Sequence, residues 1–363
     1  YKRQTNYIMK KISSYSKCSL LLVLALLSGI FSGLAQDAQK KVAVYAVAFY
    51  NLENLFDTIN DPEKNDEQFL PDGSYRWTSM KYNNKLENLS YAISKLATDK
   101  YCPQGPAVIG ISEIENRQVV EDLISTGKLA ERNYGIAHYD SPDRRGVDVG
   151  LIYDKDQFEL ESSSSIRLHI PDRPDFITRD QLVVTGRIAG ERVHVIVNHW
   201  PSRLGGEKKS RPLRNAAAAL SKHIADSLLT IDPQSKVIIM GDLNDDPNNV
   251  SCKEVLGAKK YPQEVEEGGY YNTMWQLFDK GIGSLAYNGS WNLFDQIIIS
   301  GNMLGKDRST LKYFKSEVFN RDFLKQSEGK YKGYPKRTHA AGVYLNGYSD
   351  HFPTIIYLAK EVQ

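Results

Sequence analysis

Eight short runs rich in Val and Ile constrain this chain more than any other feature. They are "KVAVYAVAFYN" (41–51), "PAVIGISE" (106–113), "VDVGLIYD" (147–154), "DQLVVTGRI" (180–188), "RVHVIVNHW" (192–200), "KVIIMGD" (236–242), "LFDQIIIS" (293–300) and "FPTIIYLA" (352–359). Such runs, bounded by Gly, Pro, Asn and Asp, read as buried β-strands, and several alternate with a period of two. Helical patterns lie between them. "NNKLENLSYAISKLATD" (83–99) places Leu86, Leu89, Ile93 and Leu96 on one face. "NRQVVEDLISTG" (116–127) ends in a glycine suited to a helix C-terminus. "SRPLRNAAAALSKHIADSLL" (210–229) has Pro212 near its start and a strong helix-forming centre. Strands alternating with helices early, then strands in quick succession, imply an α/β domain with mixed sheets. No linker interrupts 40–363, so residues 36–363 read as a single domain. Residues 301–340 read as a long excursion between the last two strands.

The first residues follow another logic. "MKKISSYSKCSLLLVLALLSGIFSGLA" (9–35) has a basic start, an apolar stretch around Leu20–Leu27 and small residues at Gly33 and Ala35. This is the pattern of a secretory signal peptide, with residues 1–8 as an upstream extension and a secreted or periplasmic protein as the expectation. The apolar stretch is short for a spanning helix, which needs about 20 apolar residues. Without the five basic residues of 1–35, 41 basic face 44 acidic residues, a net charge of −3. That excludes attachment to nucleic acid by bulk charge and leaves only local contacts. Residues 302–337, with ten Lys/Arg against four Asp/Glu, and "GGEKKSRPLR" (205–214) could offer such contacts, and a solvated loop region is an equally open reading of 302–337. Cys102 and Cys252, the two cysteines outside 1–35, make neither a disulfide framework nor a zinc site, and one bridge between them stays open.

The polar residues that carry chemistry sit where strands end. Asn51 closes the first run, and Glu113 the second, in "GISEIEN". His199 follows "VHVIVN", and Asp242 and Asn244 lie in "GDLNDDP" (241–247) after "KVIIM". Asp295 sits in "LFDQIII", and Asp350 and His351 in "YSDHFP" just before the last strand. Each has a plain structural reading. Glu113 could cap the following helix, His199 could be a satisfied buried histidine, Asp295 could be a structural pair member, and Asp350 a turn residue. Together they point to one site at the strand ends, where binding residues concentrate.

The ordered series N…E…NH…GDxN…D…SDH resembles the endonuclease/exonuclease/phosphatase superfamily, from about residue 45 to 357. "GDLN", "SEIEN" and "SDHFP" carry most of the likeness, and "FYNLENLFD" resembles the first strand of secreted bacterial members. One position departs: many members have Gln before the metal-binding Glu, and here it is Ser112. The resemblance implies a four-layer α/β sandwich, two mixed β-sheets face to face with helices outside. It also implies a divalent-metal-dependent phosphodiester hydrolase.

Phosphodiester hydrolysis requires a cation on the phosphate oxygens, an in-line water and stabilisation of the pentacoordinate state. Hard oxygen ligands suit Mg²⁺, with Mn²⁺ or Ca²⁺ as alternatives, and Glu113 is the best ligand candidate. By resemblance Asn51 and Asp350 complete that neighbourhood. Asp242 and Asn244, two apart, face the same way in an extended chain. One would orient or deprotonate water while the other holds a phosphate oxygen, and Asp245, Asp246 and Pro247 would form the turn that presents them. His199 and His351 would donate to phosphate oxygens, their charged forms favoured by neighbouring carboxylates. Asp295 is the partner that the family implies for His351. Arg145 and Arg203 are weaker candidates for phosphate contact. A nuclease is the first expectation for substrate. A phosphatase or sphingomyelinase acting on lipid or inositol phosphates is the alternative, for which "EEGGYYNTMW", ending at Trp275, would be an exposed aromatic element. A binding module without catalysis is the third. No obligate protein partner is implied, and a monomer is expected.

Overall fold

The computed structural model describes residues 41–99 and 101–362; the expected signal segment lies outside them. Sixteen strands form among these residues. The first four are β1 (Lys41–Leu55), β2 (Val108–Ile114), β3 (Tyr134–His138) and β4 (Asp148–Asp154). There follow β5 (Phe158–Ile166), β6 (Gln181–Ile188), β7 (Glu191–His199) and β8 (Lys236–Asp242). Next come β9 (Tyr270–Asn272), β10 (Leu285–Tyr287), β11 (Ser290–Asn292) and β12 (Asp295–Ser300). The last are β13 (Lys312–Val318), β14 (His339–Ala340), β15 (Val343–Tyr344) and β16 (Thr354–Val362). Four α-helices accompany them: α1 (Ser79–Ser94), α2 (Arg117–Ile124), α3 (Glu207–Ile231) and the short α4 (Trp275–Asp279).

The strands build two six-stranded sheets, in the orders β13-β16-β1-β2-β4-β3 and β5-β6-β7-β8-β12-β9, plus hairpins β10-β11 and β14-β15. Both sheets are mixed. β1–β2 in the first and β7–β8 in the second run parallel, and the other pairs whose register is resolved are antiparallel. β2 and β4 face β6, β7 and β8 across the main core. α1 packs on α2, which lies on β2 and β3, while α3 lies on β7 and β8. The fold is the expected α/β sandwich, and Ala43–Lys360 form one compact unit.

Side-chain alternation makes these layers. In β7, Val193, Val195 and Val197 enter the core between the sheets, and Ile196 turns to the layer under α3. In β8, Ile238 and Met240 point inward, and Val237 and Ile239 meet the small Ala217, Ala218 and Ala225 of α3. A strand buried on both faces reads as a continuous apolar run, which is why "KVIIMGD" was so plain in the sequence.

Several boundaries moved. α1 starts and ends before 83–99, since Ala97 turns left-handed (φ 61) and redirects the chain. α3 begins at Glu207, three residues before the expected start, and places Pro212 in its second turn. Residues 301–340 are not only an excursion, because β13 within them pairs with β16 as an edge of the first sheet. "SSSS" (162–165) belongs to β5, an exposed edge strand whose pairing with β6 overrides its polar composition. Cys102 and Cys252 are both buried free thiols, so the open question of a bridge closes. Among the described residues no helix is long and apolar enough to cross a membrane.

Candidate active site

The register of the second sheet sets three of the residues side by side. His199 lies opposite Asp242 in the parallel β7–β8 pair, and Asp295 opposite Asp242 in the antiparallel β12–β8 pair. Gly241 makes this possible. A Cβ there would stand 2.1 Å from the Asn198 carbonyl oxygen of β7, so only glycine lets the strands close at the position before Asp242. After Asp242 the chain is not extended, as the spacing had suggested. Asn244 is left-handed (φ 51), and its N–H donates to Asp242 Oδ1 at 3.0 Å, a turn of the Asx type. The Asn244 carboxamide donates to the Trp200 carbonyl at 3.0 Å. The two residues are therefore joined by a turn rather than by strand alternation.

The first sheet contributes through irregular strand ends. β1 slips register between Asn51 and Leu55, and β2 between Ser112 and Ile114. Glu53 (φ 51), Asn54 (φ 52) and Glu113 (φ 59) take left-handed conformations that side chains of this kind rarely adopt. Bulges of this kind re-aim side chains at sheet ends. Glu113 Oε2 accepts the Asn54 N–H at 3.0 Å, while Oε1 lies 3.8 Å from His199 Nε2.

Asp242 Oδ2 is the hub. It accepts from Asn51 Nδ2 at 3.1 Å and lies 3.6 Å from His199 Nε2 and 4.0 Å from His351 Nε2. His351 Nδ1 pairs with Asp295 Oδ2 at 2.6 Å, and the Ser284 hydroxyl donates to the same carboxylate. Asp350 Oδ1 stands 3.8 Å from His351 Nε2, while Oδ2 accepts from Arg337 at 2.9 Å. Asn51, Glu113, His199, Asp242, Asn244, Asp295, Asp350 and His351 are thus linked in one cluster where the two sheets meet, which opens to solvent at Glu113 and Asp350.

Burial and neighbours divide the protonation states. Burial pushes the Asp242 carboxyl up to about 7, with Asp295 and Glu113 adding to it while His351 opposes it. Burial also drives His199 well below its usual range, helped by the cations Arg179 and Arg145 and by His351. Against the expectation, burial and these cations disfavour the charged form of His199. His351 goes the other way. Burial disfavours its charge, but Asp295, Asp350 and Asp242 together outweigh that and raise it well above the usual range.

Two arginine candidates separate. Arg145 sits half-exposed at the rim, donating to Asn54 Oδ1 at 2.5 Å and 3.9 Å from Glu113 Oε2. Arg203 is a brace instead. It donates to the Asn244 carbonyl at 2.8 Å and to Asp245 and Asn249, and it stacks on Phe294. Asp245 and Asp246 are more than a turn. Asp245 is a fully buried anchor for Arg214 at 2.7 Å and for Ser251 at 2.6 Å, and Asp246 accepts the Leu293 N–H at 2.8 Å. The "GGEKKSRPLR" stretch is mostly the first turns of α3, where Arg211 and Arg214 are committed to Glu207 and Asp245. "EEGGYYNTMW" runs into β9, with Tyr270, Tyr271, Met274 and Trp275 buried, so it is no exposed aromatic element.

Sequence reasoning missed the support of the site. Arg179 donates to the His199 and Trp200 carbonyls at 3.1 and 2.7 Å and pairs with Asp143 at 3.2 Å. Ser349 Oγ donates to the Asn51 carbonyl at 2.6 Å and accepts the His351 N–H at 3.1 Å. The fully buried Lys85 Nζ donates to Thr338 Oγ1 at 2.6 Å and to the Tyr348 carbonyl at 2.7 Å. Only Ser349, adjacent to "DH", carried a local signal.

A sequence profile described as "Endonuclease/Exonuclease/phosphatase family" matches residues 46–360. The chain belongs to this family. Members of the endonuclease/exonuclease/phosphatase family are phosphoester hydrolases. Solved structures share its fold. A humanized TDP2 of D. rerio superposes with a TM-score of 0.53 at 12% identity, covering 87% of this chain and 98% of that one. A mannosyl-6-phosphatase of Bacteroides thetaiotaomicron gives 0.52 at 15%, covering 86% and 99%. The human Nocturnin catalytic domain gives 0.50 at 14%, covering 88% and 97%. No curated protein sequence matches the chain.

Proposed function

We propose that this family member is a divalent-metal-dependent phosphodiester hydrolase acting on nucleic acid. The observation that carries the reading is the Asp242 carboxylate, which lies between a neutral His199 and a charged His351, with Glu113 beside His199. Those residues supply a base, two donors of different charge and a hard oxygen ligand within one cleft.

The donor set fits a hard cation. Glu113 and Asp350 are carboxylates at the open side of the cleft, with side-chain exposures of 14% and 27%. Asn51 is less free to ligate, because its Oδ1 already accepts the Glu53 N–H at 2.9 Å and its Nδ2 holds Asp242. Glu113 and Asp350 would hold Mg²⁺, or Mn²⁺ or Ca²⁺ in its place, and the cation would polarise a phosphate oxygen. Asp242, held by Asn51 and by the Asn244 N–H, accepts the proton of the attacking water. Asn244 has a second amide hydrogen for a phosphate oxygen, since one goes to Trp200. His199 offers a neutral donor. His351, charged and oriented by Asp295, stabilises the negative charge of the pentacoordinate state.

One observation favours a second reading, hydrolysis of a lipid or inositol phosphate. The β10–β11 hairpin carries an exposed Tyr287 at its tip, and Ser284 at its base contacts Asp295. Residues 36–363 should be assayed on plasmid DNA, RNA, sphingomyelin, an inositol polyphosphate and bis-p-nitrophenyl phosphate, with Mg²⁺ and with chelator, beside His199→Ala. Metal-dependent nicking of DNA that the substitution abolishes supports the nuclease. Turnover of only the lipid or inositol substrate replaces it with the second reading, and no turnover on any of them favours a binding module on the same fold. The export signal in residues 9–35 remains part of the proposal; N-terminal sequencing of the protein made from the full chain tests it.

A further inference from the structure

His199 has a second side. Its Nε2 faces Glu113 and Asp242 in the cleft, so Nδ1 points the opposite way, into the protein. That nitrogen is buried and has no hydrogen-bond partner. His199 lines a cavity of about 10 Å³ together with Thr178, Arg179, Gln181 and apolar side chains such as Leu168 and Ala217. Thr178 Oγ1, on the wall of the same cavity, is also buried and without a partner. The other polar groups there are committed. Arg179 is held by Asp143 and by the His199 and Trp200 carbonyls. Gln181 donates to the Ala217 carbonyl at 2.8 Å and accepts from Ser221 at 3.0 Å.

Two orphaned polar atoms on one small cavity are unusual, because buried polar groups in native proteins nearly always have partners. One water fits roughly 10–15 Å³ and needs at least two polar partners to stay. We infer that a single buried water bridges His199 Nδ1 and Thr178 Oγ1, and that Thr178 is a positioning residue for His199. The inference rests on the reading of His199 as a phosphate donor. A water that accepts the Thr178 hydroxyl proton and donates to Nδ1 leaves the imidazole proton on Nε2. The ring then presents N–H to the cleft and cannot turn without breaking the bridge. The orienting partner is thus a neutral hydroxyl and a water, which add no negative charge behind a histidine already surrounded by Arg179 and Arg145.

Thr178→Val keeps the shape of the side chain and removes the hydroxyl, and Thr178→Ser keeps the hydroxyl. Three readouts apply to wild type and both variants. They are kcat and KM on whichever substrate the panel identifies, the ¹⁵N resonances of the His199 ring, and the thermal midpoint. The expected result is a wild-type ¹⁵N pattern with the proton on Nε2 and a hydrogen-bonded Nδ1. Thr178→Val should shift the Nδ1 resonance and lower kcat about tenfold, the usual scale for an outer partner, with KM unchanged. Thr178→Ser should restore both. A wild-type pattern with the proton on Nδ1, or a Val variant whose ¹⁵N pattern and kcat match wild type, overturns the inference. A loss in the Val variant that Ser does not restore, or one that follows the thermal midpoint alone, also overturns it. Should His199→Ala retain full activity, the functional reading fails, and the ¹⁵N comparison still decides the bridge.

Discussion

In the proposed reaction Asp242 is the central group, because one oxygen meets an amide and two imidazoles that their surroundings shift in opposite directions. A base of this kind contributes about 10²–10⁴-fold, so Asp242→Asn, which keeps the shape, should lower kcat by that factor with little change in KM. The carboxyl must be ionised to take a proton, and burial holds it near 7. In the metal-free protein the Asp242 carboxyl should therefore ionise as pH rises through about 7, which a ¹³C NMR titration of that carboxyl checks. Glu115 provides a separate test of burial. Its carboxyl is pushed from 4.5 to about 8, first by burial and then by Asp57, Asp66 and Asp61. A raised carboxyl stabilises the fold while protonated, fully below 4.5, and loses that contribution as pH passes through about 8. Glu115→Gln should match wild type in thermal midpoint near about pH 5 and melt higher near about pH 9.

At the scale of elements, β8 and the turn after it show why "GDLNDDP" is built as it is. Gly241 permits the approach of β7, Asp242 and Asn244 face the cleft, and Asp245 and Asp246 tie the turn to α3 and to Leu293. Gly241→Ala should lower the thermal midpoint and activity together, since the added methyl meets the Asn198 carbonyl rather than a movable side chain. The Arg214–Asp245 pair is wholly buried, with side-chain exposures of 0% and 1%. Arg214→Met should cost about 1.5–3 kcal/mol in chemical denaturation, as Asp245 loses its fully buried cation and keeps only Arg203 and Ser251. The sequence made the buried strands legible because Val and Ile runs admit few other readings, and it made their polar ends legible because they share one position in the fold. It hid β5, whose serines pair only because β6 lies beside them, and β13, which reads as loop until β16 is in place. It also hid the left-handed turns at Glu53, Asn54 and Glu113, which no local residue type announces. The same limit explains Arg203 and Tyr270. Their residue types suit a phosphate or a lipid, but packing on Phe294 and Asp226 commits them elsewhere.

At the scale of the molecule, the cleft draws on both sheets, and neither sheet holds a complete set of residues. Glu113 and Asp350 come from the first sheet and its loops, and His199, Asp242 and Asp295 from the second. A cation held by Glu113 and Asp350, as proposed, would favour the folded chain by mass action, about 2.7 kcal/mol at a hundredfold excess over its dissociation constant. Mg²⁺ should therefore raise the thermal midpoint of wild type, and Glu113→Gln should abolish the rise even on a substrate-free sample. The order of strands has a further consequence for synthesis. β16 lies between β13 and β1, yet it follows both of them in the chain, directly after Asp350 and His351. A chain released before Ser349 keeps β1 with one edge open, and an open edge pairs with other chains. A break there thus removes Asp350 and His351 from the candidate site and exposes the β1 edge in the same stroke.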